Sequence, residues 1–160
     1  METDPTDTQA ARERKWAPRP LAGVQSGVIL FDGVCVFCSR WVAFVIERDR
    51  ARTFRFLPIQ TEDGQRLAER IGIKPDDPET NAVVLDGVAY LKSDAALMVL
   101  ARLPGWSWTR LCRTFPKGLR DWTYDRIAKN RYRIFGRLDA CMVPAPEVRE
   151  RFLDRLPSPP

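Results

Sequence analysis

Four consecutive apolar residues, Val28-Ile29-Leu30-Phe31, run straight into Asp32-Gly33, and this junction constrains the fold of the chain more than any other segment. The run is too short for a helix and is closed by a turn dipeptide, so it predicts a buried strand. Directly beyond it, Cys38, Trp41, Val42, Val45 and Ile46 fall at the i, i+3, i+4, i+7, i+8 spacing of one helix face, with Ser39, Arg40, Glu47 and Arg48 on the other. A helix therefore starts near Cys35. Thr53 to Leu57, β-branched and aromatic and stopped at Pro58, reads as a second strand. The intervening helix is a crossover, which makes the two strands parallel.

The pattern continues with a helix over Thr61 to Ile71, carrying Leu67, Ala68 and Ile71 on one face and Gly72 for its C-terminal cap. Lys74 to Thr80, with Pro75 and Pro78, is a loop. Ala82–Leu85 and Val88–Leu91 flank Asp86-Gly87, a dipeptide suited to a hairpin turn that needs two positive φ angles. Ser93 is the expected N-cap of the next helix, which buries Ala96, Leu97, Leu100 and Leu103 before Pro104-Gly105. The order is βαβαββα, an α/β class. Beyond Gly105 the chain reads as wholly helical, with Trp106, Leu111 and Phe115 before Pro116, then Leu119, Trp122, Ile127 and Ile134 as the apolar positions of a longer helix ending at Gly136. One amphipathic helix pair cannot bury its apolar faces alone, so this part is expected to pack on the first. The resulting division is a flexible leader (1–25), an α/β core (26–103), a helical extension (104–153) and a disordered, proline-rich tail (154–160).

The leader lacks the apolar run of a secretory signal, and no segment has the roughly 18 or more consecutive apolar residues of a membrane span, so a cytoplasmic protein is expected. In that setting four cysteines point to metal binding or redox chemistry rather than a secreted disulfide scaffold. The chain has no histidine, which removes the usual general base and the usual nitrogen ligand for zinc. The net charge of +5 is compatible with acidic partners without identifying one. Arg126, Lys129, Arg131, Arg133 and Arg137, interleaved with Tyr132 and Phe135, resemble a basic helix for nucleic acid or an anionic surface. Such a run is ordinarily a solvated helix face, no nucleic-acid motif accompanies it, and the expectation is no such binding.

The chemistry resides in Cys35-Val36-Phe37-Cys38, because this C-x-x-C follows a buried strand and sits in the first turn of a helix. Cysteines three apart there are compatible with a disulfide, and the free backbone N–H groups favour a thiolate. Cys35, outermost, is expected to attack, and Cys38, on the inner face, to resolve. The partner would be a protein or small-molecule thiol or disulfide. Asp32 has two readings: a turn residue explained by Asp-Gly alone, or a carboxylate that accepts or relays a cysteine proton. Cys112 reads as a small apolar core residue, and Cys141 as either a bystander or a further exchange partner. A zinc-stabilised or basic adaptor without turnover is the alternative function, weakened because Cys112 and Cys141 lie far apart without a second C-x-x-C. No cofactor motif and no complete metal-ligand set is expected.

Phe31-Asp32-Gly33-Val34-Cys35-Val36-Phe37-Cys38, the Asp86-Gly87 hairpin with Tyr90 and Ser93-Asp94-Ala95, and Asn130-Arg131-Tyr132-Arg133 with Phe135-Gly136 and Cys141 together resemble the DCC family. The resemblance spans Val28 to about Phe152, and Asp32, Cys35 and Cys38 match the Asp, Cys, Cys signature that names the family. It implies a thiol-disulfide oxidoreductase with a thioredoxin-like fold. Independently, βαβαββα with C-x-x-C after the first strand is the thioredoxin order. One departure stands out: Thr80-Asn81 occupies the place before the hairpin where thioredoxins carry a cis-proline. A non-proline cis bond is costly, so a trans loop and a differently shaped substrate groove are expected.

Overall fold

The strand predicted from Val28-Ile29-Leu30-Phe31 is an interior strand of the sheet and is buried along its whole length. The computed structural model describes residues 15–157. Five strands, β1 (Arg19–Pro20), β2 (Val28–Phe31), β3 (Arg55–Pro58), β4 (Ala82–Leu85) and β5 (Val88–Leu91), form one sheet in the order β1-β5-β4-β2-β3. β2 runs parallel to β3, with Ile29 opposite Phe56, and antiparallel to β4, with Ile29 opposite Val83. Helices α1 (Val36–Arg48), α2 (Glu62–Arg70), α3 (Lys92–Leu100) and α4 (Lys117–Phe135) are joined by 3₁₀ helices at Ser107–Thr114 and Pro146–Arg151. The mixed sheet with its parallel β2-α1-β3 unit and antiparallel hairpin is thioredoxin-like.

Alternation along β2 divides the core. Val28 and Leu30 join Leu57, Leu67, Ala68 and Ile71 in one cluster under α2. Ile29 and Phe31 join Cys38, Val42 and Val45 of α1 with Ala95 and Val99 of α3 in the other. Thus the strand that ends in the Cys-bearing loop is fixed from both faces. The local signals operate as expected elsewhere: Thr61 Oγ1 accepts from the Gly64 N–H at 3.0 Å to cap α2, and the hairpin turn holds Asp86 and Gly87 at φ of 51° and 75°.

Several expectations need correction. Of the leader assigned to residues 1–25, residues 1–14 lie outside the described part, but 15–24 are packed: Trp16, Leu21 and Val24 are buried, and β1 pairs with β5. Apolar side chains that the pattern left unassigned cover the α2 side of the sheet. Residues 158–160 of the predicted tail are likewise outside the described part, yet Leu156 packs on the core and its N–H reaches Asp63 Oδ2 at 2.6 Å. Ser93 does not cap α3. The helix starts after Leu91, which offers no side-chain cap, and the Ser93 hydroxyl instead donates to Asp121 at 2.5 Å.

The largest correction concerns the C-terminal part. Past Gly136 the chain leaves the helix, and the apolar positions expected to pack, Leu111, Phe115, Leu119, Trp122, Ile127 and Ile134, are exposed. α4 is held instead by polar contacts. Lys117 and Arg120 pair with the buried Asp94 at 2.9 and 3.0 Å, and Asp125 takes the Lys92 ammonium at 2.7 Å. Burial works against the Asp94 carboxylate, but those two cations prevail and hold its pKa below the ordinary value. The helix is thus fixed to the start of α3 through charge, while Tyr132 packs on the second core cluster and Phe135 lies against Phe37, and Leu119, Trp122 and Ile134 are left outward.

Candidate active site

The turn between β2 and α1 is built by what surrounds Asp32. Its carboxylate is buried and accepts from the Gln60 side-chain amide at 2.8 Å, from the Val34 N–H at 3.2 Å and from the Tyr132 hydroxyl. The Arg131 guanidinium stands 3.6 Å away. Gln60 closes the loop by accepting the Gly33 N–H at 3.0 Å. A residue needed only for a turn would not bring four partners from three parts of the chain, so Asp32 is a fixed buried charge as well as a turn former.

Three residues on, Cys35 is the N-cap of α1. Its Sγ accepts the Cys38 backbone N–H at 3.3 Å, so the first turn of the helix supplies a donor to the sulfur. The two thiols are driven apart in acidity. The hydrogen bond with the Cys38 side chain is the largest influence and lowers the Cys35 pKa to about 7, against desolvation and with help from the Cys38 N–H and the Arg131 charge. Cys38 is pushed well above the ordinary thiol range, first by that same contact with Cys35 and then by burial. Asp32 opposes thiolate formation at both sulfurs.

Cys35 was expected to be the accessible thiol. It is 0% exposed and Cys38 is 2% exposed. The cover is a strap after α4: Arg137 bridges to Cys35 in antiparallel fashion, the Leu138 N–H reaches the Val34 carbonyl at 2.7 Å, and the Met142 N–H reaches the Gly33 carbonyl at 2.8 Å. Cys141 in this strap lies against Gly33, where a Cβ would collide with its Sγ. Burial first, and then Asp32, raise the Cys141 pKa. Cys112 is half-buried in the 3₁₀ helix. Among the described residues no three His, Cys, Asp or Glu side chains converge as metal ligands.

The structure therefore brings Asp32, Cys35 and Cys38 together, and adds Arg131, Tyr132 and Gln60, which the sequence reading did not assign to the site. Arg131 and Tyr132 stand in the Asn130-Arg131-Tyr132-Arg133 motif, inside a charge run whose composition alone predicts a solvated helix face. Arg131 is only 5% exposed. The Thr80-Asn81 bond is trans, and both residues are hydrogen-bonded to the Tyr124 hydroxyl. No helix is long and apolar enough to cross a membrane among the described residues.

A thioredoxin-like sheet that delivers C-x-x-C to the N-terminus of its first core helix, with two thiols of divergent acidity, defines the class of the protein by fold and site. The family model for DCC1-like thiol-disulfide oxidoreductases matches residues 29–137, and the chain belongs to that family. It is 40% identical over 131 residues to Uncharacterized protein YuxK of Bacillus subtilis (strain 168), covering 81% of this chain and 96% of the relative. It is 39% identical over 116 residues to DCC family protein At1g52590, chloroplastic, of Arabidopsis thaliana, covering 71% of this chain and 67% of the relative. No solved structure gives a significant match.

Proposed function

We propose that the protein cycles Cys35 and Cys38 between dithiol and disulfide in exchange with a thiol or disulfide partner, with Cys35 as attacking thiolate, Cys38 as resolver and Asp32 as proton acceptor or relay. The observation that carries this reading is the division of acidity between the sulfurs: one thiol at about 7, hydrogen-bonded at a helix N-terminus, beside one that stays protonated. In the forward step the Cys35 thiolate attacks one sulfur of a partner disulfide and the other sulfur leaves as a thiolate. Cys38 then loses its proton and attacks the Cys35 side of the mixed disulfide. The second partner thiol is released and the Cys35–Cys38 bond forms. The proton leaving Cys38 needs an acceptor, and Asp32 is the carboxylate whose charge reaches both sulfurs. Because both sulfurs are covered, attack on a macromolecular partner requires the strap over Gly33–Cys35 to part.

Removing the resolver tests the order of events. Cys38→Ser should accumulate mixed disulfides on Cys35, Cys35→Ser should accumulate few, and the double variant none, read on non-reducing gels with identification of the trapped species. Equal and negligible trapping by both single variants would overturn the reading, since a purely structural pair has no attacking and resolving member.

A further inference from the structure

One face of α4 stays open to solvent along the helix. Leu119, Trp122, Arg126, Lys129 and Arg133 recur at i, i+3, i+7, i+10 and i+14, a spacing that sets them in one stripe, and all five are exposed. Leu119 and Trp122 are 57% and 56% exposed, Ile134 borders the stripe at 65%, and Phe115, just ahead of the helix, is exposed as well. The Arg126 guanidinium lies over the Trp122 ring, 5.1 Å from its centroid.

The two carboxylates of the helix are turned away from this stripe. Asp121 is buried against Ser93 and Lys117, and Asp125 takes the Lys92 ammonium. Among the described residues none of Arg126, Lys129 and Arg133 pairs with a carboxylate, whereas Lys117, Arg120 and Arg131 of the same helix all do. The outward face therefore carries three uncompensated cations between large apolar side chains.

A solvated face accounts for the charges of this run but not for the apolar side chains exposed between them, and apolar groups gathered on one surface mark an interaction site. A second copy of the chain does not fit, because a two-fold contact would set these cations against themselves. Duplex nucleic acid would meet the charges but offers Leu119 and Ile134 no apolar medium. The surface of an anionic bilayer supplies both: headgroup phosphates for Arg126, Lys129 and Arg133, the acyl boundary for Leu119 and Ile134, and between them the level that suits an indole such as Trp122.

We propose that the outward face of α4, together with Phe115, docks on the surface of an anionic phospholipid bilayer, with the helix lying in the plane of the interface. The proposal goes beyond the redox reading and does not depend on turnover, because none of these side chains belongs to the cysteine site.

The test uses the full chain with its cysteines reduced, sedimented with vesicles of phosphatidylcholine alone or of phosphatidylcholine and phosphatidylglycerol in equal parts, and mixed separately with a duplex DNA. The chain should bind the phosphatidylglycerol vesicles, leave the neutral ones, and come off as salt is raised. Arg126→Gln, Lys129→Gln and Arg133→Gln together should weaken that binding by about 10²-fold, at about fivefold for each charge. Leu119→Ser with Trp122→Ser should weaken it as well, while both sets of variants keep the denaturant midpoint and mixed-disulfide trapping on Cys35. Should one set fail to fold, the other set and the wild-type comparison of the two vesicles still decide. No binding to the anionic vesicles, or equal binding to the neutral ones, overturns the proposal. So does a preference for the duplex over the vesicles, or vesicle binding that survives the substitutions.

Discussion

Arg131 and Asp32 act on the cysteine pair in opposite senses, each less strongly than the contact between Cys35 and Cys38. The Arg131 charge favours the thiolate at Cys35, and the charge of Asp32 beside it disfavours the thiolate. The two substitutions should therefore move the pH profile of Cys35 alkylation in opposite directions. Arg131→Met should shift its midpoint upward from about 7, and Asp32→Asn should shift it downward. Iodoacetamide labelling rates across a pH series, with mass-spectrometric assignment, read both. The proton role of Asp32 separates from its field effect in the same variant. Asp32→Asn should have more thiolate at neutral pH and yet resolve mixed disulfides more slowly, by about 10²-fold if the carboxylate is the acceptor. Unchanged resolution would leave Asp32 as a buried structural charge. Asp32, Cys35 and Cys38 were legible in the sequence because one strand, one turn and one helical turn bring them together locally. Tyr132 was not, since it reaches Asp32 across 100 positions of chain, and no periodicity carries information over that span.

At the scale of elements, Gly64 in α2 illustrates how packing overrides propensity. Ala is ordinarily favoured over Gly inside a helix by about 1 kcal/mol. Here an added Cβ would run into the Pro58 carbonyl of the chain end that precedes the helix and lie 2.8 Å from Thr61 Oγ1. Gly64→Ala should therefore destabilise the protein, by about 1–3 kcal/mol as overpacking does, and a urea titration will show the sign. Asp49, closing α1, is a second case. It accepts the Thr53 and Phe54 N–H groups at 3.0 and 2.8 Å and pairs with the buried Arg151 at 2.5 Å. Asp49→Ala leaves that cation unpaired and should cost about 3–5 kcal/mol. By contrast, the exposed Arg52–Glu150 pair nearby should contribute less than about 1 kcal/mol. The sequence showed α1, α2 and the hairpin because their apolar periodicity matches what they bury. It misplaced the face of α4 because the apolar periodicity of that helix and its contacts point opposite ways: Asp121 and Arg131 are its buried residues.

For the whole molecule, thiol acidity sets a stability curve. Cys35 ionises more readily in the folded chain than in the unfolded one, so with the cysteines reduced its contribution is present above the ordinary thiol pKa of 9.0 and lost as pH falls through about 7. Cys38 is raised, so its contribution is present below 9.0 and is lost as pH climbs past it, and Cys141 acts in the same sense. Stability of the reduced protein should rise from pH 7 to 9 and decline above, as followed by denaturant midpoints under reducing conditions. Cys35→Ala should flatten the rising limb.

The strap over the cysteine pair comes from the far end of the chain, and this orders events during synthesis. β2, the Cys-bearing turn and α1 leave the ribosome well before residues 137–142 exist to cover them. At about 5–20 residues per second, the nascent pair spends several seconds open to whatever thiols and oxidants surround it. The redox state in which a newly made molecule closes is therefore set by its birthplace rather than by its later partners.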